Sequence, residues 1–102
     1  MEAVLAELKQ VQGLALASDV GDALESAGTL DADTLCAVAT VSAKQLRAIG
    51  ELLSAGNLER WYVVTERHAY YVSERPGGRL VAIGEPTKAP EATSKALHKA
   101  VR

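Results

Sequence analysis

The residues whose types could do chemistry are Cys36, His68, His98, Asp31, Asp33, the stretch Gly84–Lys88 and the charged group Glu74, Arg75 and Arg79. Cys36 is the only cysteine. A thiol nucleophile needs a base and an orienting group, and no such pair accompanies it in sequence. It reads as a small half-buried residue at the edge of the polar side of a helix. His68 falls in an expected turn and His98 on an expected last helix. Their separation is not the close ligand spacing of a zinc site, and Cys36 has no second cysteine to complete one. Both read as surface or rim histidines. Asp31 and Asp33 could open a calcium loop, but the remaining EF-hand positions are absent, so a helix cap explains them more simply. Gly84–Lys88 is only superficially like a phosphate loop. It lacks the GxxxxGK[ST] pattern, no GxGxxG follows a strand, and Pro86 removes an N–H where such a loop needs donors. Glu74, Arg75 and Arg79 flank an expected turn and read as a solvated ion-pair cluster, each pair worth under about 1 kcal/mol. No nucleophile with a base and no credible carboxylate pair remains. The sequence therefore points away from an enzyme, with no catalytic residue, no cofactor and no metal expected.

The chain has 102 residues, 48% of them hydrophobic, and a formal net charge of −2. That is one domain, residues 1–102, with a modest core that burial against a partner would reinforce. Lys and Arg are not clustered as a nucleic-acid footprint requires. No run approaches the ~20 apolar residues that span a bilayer. Glu2 and Glu7 interrupt the opening segment, which has neither the basic start nor the apolar run of a signal peptide. With a lone cysteine, which cannot form an internal disulfide, a cytoplasmic protein is expected.

The elements that must position these residues follow from periodicity. Val4, Leu5, Leu8 and Val11 stand at helical spacing within residues 2–11, with Gly13 as a left-handed cap. Leu14–Ser18 and Ala23–Ala27, joined through Asp19, Val20, Gly21 and Asp22, suggest a hairpin. Asp31 or Asp33 caps a long helix that runs to about Leu53 or Ser54, where Gly56 and Asn57 stop it. Leu58–Glu66, Ala69–Arg75 and Arg79–Gly84 form a three-strand meander rich in aromatic and β-branched residues. Thr87 caps a closing helix with Pro90 in its first turn. Ala92, Ala96, Leu97, Ala100 and Val101 give that helix a narrow apolar face.

The long helix carries two apolar seams. With Leu35 at zero and steps of about 100°, Val38, Ser42, Leu46, Ile49 and Leu53 fall near it, with Ala39 alongside. This face is assigned to the domain's own sheet, leaving Thr40, Lys44, Arg47 and Glu51 on the polar side. Ala37, Val41, Ala48 and Leu52 form a second band at roughly 200–260°, with Gln45 beside it. That band packs either against a partner helix or against neighbouring loops as part of a wide core face. The strand of Trp61 and Tyr62 is apolar on both sides, which implies cover on both faces of the sheet. If it lies at an edge, it is a template for strand addition.

This order, with the Asp19–Asp22 turn, the small strand end Ser26, Ala27, Gly28 and a meander beginning at Leu58 after Gly56 and Asn57, resembles the Roadblock/dynein light chain family, its bacterial gliding-motility type included, over nearly the whole chain. The hairpin strands are poorer in bulky β-branched residues than is usual there. The resemblance implies an α/β (α+β), profilin-like sandwich: a five-stranded antiparallel sheet in the order 2-1-5-4-3, the long helix on one face and the two terminal helices on the other. It further implies a homodimer made by joining third strands and packing long helices. On this chain that maps to Ala37, Val41, Gln45, Ala48, Leu52, Arg60, Trp61, Tyr62 and Val63, with Lys44, Arg47 and Glu51 as a partner-binding rim. Its implied role is that of a non-enzymatic scaffold or regulator that binds a protein, a small Ras-like GTPase or its regulator. The scattered charges and the lack of a long apolar run, not the resemblance, lead us to expect neither nucleic acid nor membrane as partner. The alternative is a small-ligand sensor of profilin-like or PAS-like architecture, which would need an internal pocket with a few polar groups.

Overall fold

The computed structural model describes residues 1–8 and 10–100. Helix α1 (Glu2–Glu7) leads into strands β1 (Val11–Ser18) and β2 (Ala23–Gly28). Helix α2 (Ala32–Leu52) follows, then β3 (Arg60–Val64), β4 (Ala69–Arg75), β5 (Gly78–Gly84) and α3 (Pro90–Ala100). All strand pairs are antiparallel, and the sheet order is β2-β1-β5-β4-β3, as the resemblance implies.

Local chemistry explains several boundaries. The Asp31 carboxylate accepts the Thr34 backbone N–H at 3.2 Å, satisfying one free donor at the start of α2. Asp31→Ala should cost about 1 kcal/mol. A thermal melt should register this as a drop of several degrees. The chain leaves α2 through positive φ at Ser54 and Gly56. At Gly28, whose φ is 78°, an added Cβ would collide with the Gln12 carbonyl oxygen, so only glycine fits this strand end.

Other boundaries depart from expectation. The first helix stops at Glu7 instead of continuing through residue 11, because Val11 already pairs with Gly84 of β5. Pairing with β5 overrides the helical spacing there. Gly13, expected as a helix cap, is instead buried within β1. β3 is also shorter than the expected Leu58–Glu66. Thr87 does not cap α3; its hydroxyl accepts the Ala89 N–H, and the helix begins at Pro90. The buried face of α3 is Thr93, Ser94 and Leu97, whereas Ala92 and Ala96 are exposed. Val101 lies outside the described residues.

The sheet separates two apolar layers. On one face Leu14, Tyr71, Leu80 and Ala82 pack with Leu8 and Leu97 from the terminal segments, and Val4 and Leu5 of α1 close over them. On the other face Ala15, Ala17, Val72 and Val81 meet α2.

The rotation of α2 is the main correction. Its buried residues are Cys36, Ala39, Thr40 and Ala43, not the bulkier set of Val38, Ile49 and Leu53, which is exposed. The buried centre is turned by roughly 80° from the expected face. Ala15 and Ala17 offer the helix a shallow surface, and small helix residues allow close approach to it.

Polar anchoring accompanies this small-residue contact. Arg79 on β5 is 1% exposed and is not part of a solvated cluster. Its Nε and Nη2 donate to Glu74 on β4 at 2.9 and 3.3 Å, and its Nη1 donates to Thr40 Oγ1 at 2.6 Å. Thr40 in turn donates to the Cys36 carbonyl at 2.8 Å. This network is largely desolvated, where a guanidinium must be paired. Thr40, assigned to the polar side, is thus a buried residue through which α2 is tied to the sheet.

Cys36 is fully buried rather than half-buried. Burial pushes its thiol pKa up from the ordinary 9.0, Asp33 adds to the rise and Arg79 opposes it. The folded state therefore holds this proton more tightly than the unfolded chain does. Stability should fall as pH rises past the unfolded value of 9.0 toward the higher folded one. Denaturation at pH 8 and 10 of the parent and of Cys36→Ala checks this: the parent should lose more stability between the two pH values.

Candidate protein-interaction surface

β3 pairs with β4 on one side only, so its other side is an open sheet edge among the described residues. Side chains alternate across this edge. Tyr62 and Val64 stand on the terminal-helix face, with the Tyr62 ring 6.3 Å from that of Tyr71. Trp61 and Val63 stand on the α2 face, where Trp61 packs beside Ala39, Val72 and Val81.

α2 lies chiefly over β1, β2 and β5. The α2 side of β3 and β4 is therefore left partly uncovered, as a groove of about 340 Å³ lined by Leu35, Val38, Trp61, Val63, Tyr70 and Val72. Its wall continues onto the solvent side of α2. Val41 is 58% exposed and Leu52 86% exposed, and Ala37, Gln45 and Ala48 are exposed on the same side. The helix thus presents more apolar surface than its own sheet hides, adjoining an unpaired strand edge.

The expected residues divide by environment. Tyr62 and Val63 are exposed on the edge strand and Trp61 is half-buried in the groove. Arg60 faces inward: its Nη1 donates to Ser94 at 3.1 Å and pairs with Glu91 at 2.8 Å, holding α3 against β3. Lys44, Arg47 and Glu51 lie on the solvent side of α2, and Arg47 reaches Glu74 at 2.5 Å, joining the Arg79 network. Sequence reasoning missed Val38, Ile49 and Leu53, which widen the exposed seam. The signal that could have found them is the spacing of Cys36, Ala39, Ala43 and Gly50, a small-residue stripe suited to close helix–sheet packing.

The titratable candidates take structural positions. His98 Nδ1 lies 2.5 Å from Ser73 Oγ, tying α3 to β4. The His68 ring meets the Tyr70 ring edge-on at 5.9 Å. Among the described residues, no three potential metal ligands cluster, and no helix is long and apolar enough to cross a membrane.

The backbone matches the crystal structure of a Roadblock/LC7 domain from Streptomyces avermitilis with a TM-score of 0.85. The match covers 99% of this chain and 88% of that one at 17% identity. The chain has the Roadblock/LC7 fold. Two further structures share this fold. The gliding protein MglB from Thermus thermophilus gives a TM-score of 0.75 at 22% identity, covering 97% of this chain and 86% of that one. Myxococcus xanthus MglB gives 0.73 at 16% identity, covering 97% and 92%. No protein-family model matches the sequence, and neither does any curated protein. The Roadblock/LC7 likeness is therefore one of backbone architecture, carried by the sheet order and the helix arrangement around it.

Proposed function

We propose that this chain is a non-enzymatic homodimeric scaffold or regulatory domain that binds a protein partner, a small Ras-like GTPase or its regulator. The observation that carries the dimer is the continuity of the exposed α2 seam with the apolar groove and the open β3 edge. Two copies related by a two-fold axis would join their β3 edges and bring both α2 seams together. That arrangement pairs free backbone groups and covers apolar area in one step. Ala37, Val41, Gln45, Ala48 and Leu52 form the helix half of this interface, and Trp61, Tyr62 and Val63 the strand half. Arg60 braces the strand from behind. Lys44, Arg47 and Glu51 remain at the rim, on the composite surface of the two helices.

The partner class rests on the resemblance to the Roadblock family and on a fold shared with gliding proteins. Sedimentation tests the dimer: a single dimeric species is expected at micromolar concentration, and a monomer would overturn it. Titration against a panel of small Ras-like GTPases loaded with GDP or GTP tests the partner. Binding weakened by Lys44→Glu supports the rim. A chain that stays monomeric and gains thermal stability from a small metabolite would instead make the groove a ligand site.

A further inference from the structure

The sheet has a second open edge, β2, whose character differs from that of β3. Residues 10–43 hold Asp19, Asp22, Glu25, Asp31 and Asp33 and no Lys or Arg, while all eleven basic residues lie outside that span. Asp31 caps α2, but Asp19, Asp22 and Glu25 are exposed around the β1–β2 hairpin and form no ion pair among the described residues. Two apolar side chains stand beside these acids: Val20 at the hairpin tip is 76% exposed and Leu24 on β2 is 59% exposed. Leu24 sits where the register between β1 and β2 shifts, between Glu25, opposite Leu16, and Ala23, opposite Ala17. Such a bulge re-aims the extra side chain away from the ladder.

The geometry points to the β2 edge as a docking strand for a basic, extended segment of a partner protein, read by Glu25, Asp19 and Asp22 and anchored on Leu24 and Val20. β2 offers the unpaired N–H and C=O groups of a six-residue strand, roughly 20 Å of edge. Strand addition uses such groups for affinity and alternate side chains for specificity. Charge decides the occupant. A second copy paired through β2 would bring like acidic hairpins together, which is repulsive. β3 instead carries Trp61, Tyr62, Val63 and Val64 without an acid. One edge therefore suits self-association and the other a foreign basic strand. This inference goes beyond the proposed dimer and does not require it.

The test titrates the intact chain with an extended peptide of four Lys-Val repeats, using the Glu-Val counterpart as control. Binding is followed by backbone amide shifts. The expected result is saturable perturbation of Ala23–Gly28 by the basic peptide and none by the acidic one. Glu25→Lys and Leu24→Ser should each weaken binding at least tenfold while leaving the melting temperature within a few degrees, since both side chains are exposed. Affinity should also fall as salt rises. Perturbations centred on β3, no binding at millimolar peptide, or indifference to Glu25→Lys would each overturn the assignment.

Discussion

Val41→Asp is expected to leave the chain folded but monomeric. Val41 lies next to the midpoint of α2, where two helices related by a two-fold axis would cross in the proposed dimer, so each substitution would enter that interface twice. Covering a valine stabilises by about 1.5–3 kcal/mol, and two such losses raise the dissociation constant by at least ~100-fold. Aspartate adds the cost of desolvating a carboxylate with no partner on an apolar seam. Because Val41 is exposed in the single chain, the fold itself should be spared. Analytical ultracentrifugation should report a monomer, with an unchanged far-ultraviolet circular dichroism spectrum. A dimer of undiminished affinity would remove α2 from the interface.

The largest expected loss of stability comes from Glu74→Ala. Arg79 would remain buried with only Thr40 Oγ1 and a long contact to the Ser18 carbonyl, at 3.4 Å, as acceptors. Removing one partner of a buried ion pair costs about 3–5 kcal/mol, because the other charge is stranded. For a domain near this size that is a fall in melting temperature of more than about 12 °C. Arg79→Met should cost less, since Glu74 keeps Arg47 and the replacement fills the space with apolar atoms. Urea denaturation of the two variants checks the asymmetry. Equal losses would show that the stranded charge is not what matters. Because Thr40 links this network to α2, Glu74→Ala should also loosen the helix that carries the proposed dimer seam.

Much of the architecture was legible in the residues. Asp31 before a long periodic run, Gly56 after it, and the Trp-Tyr-Val-Val and Tyr-Tyr-Val strands are local signals whose physics acts within a few residues. The second seam through Val41 and Leu52 was legible too, because exposure on one helix face follows from spacing. The face turned toward the sheet was not. Val38, Ile49 and Leu53 look like core residues to any rule that ranks side chains by apolar size, yet they are exposed. Arg79 was likewise legible as an ion-pair neighbour of Glu74 across a turn but read as solvated, because Thr40, its other side-chain partner, comes from the distant helix α2 that buries it.

The sequence by itself determined the order and nature of the elements and the strand most suited to an apolar edge. Each depends on interactions between near neighbours in the chain. Tertiary structure decided the rotation of α2, the burial of Arg79 and Cys36, and the opening of a groove beside Trp61. These depend on how close a helix can come to a sheet, and Ala15 and Ala17, on a strand well separated in sequence from the helix they receive, set that distance.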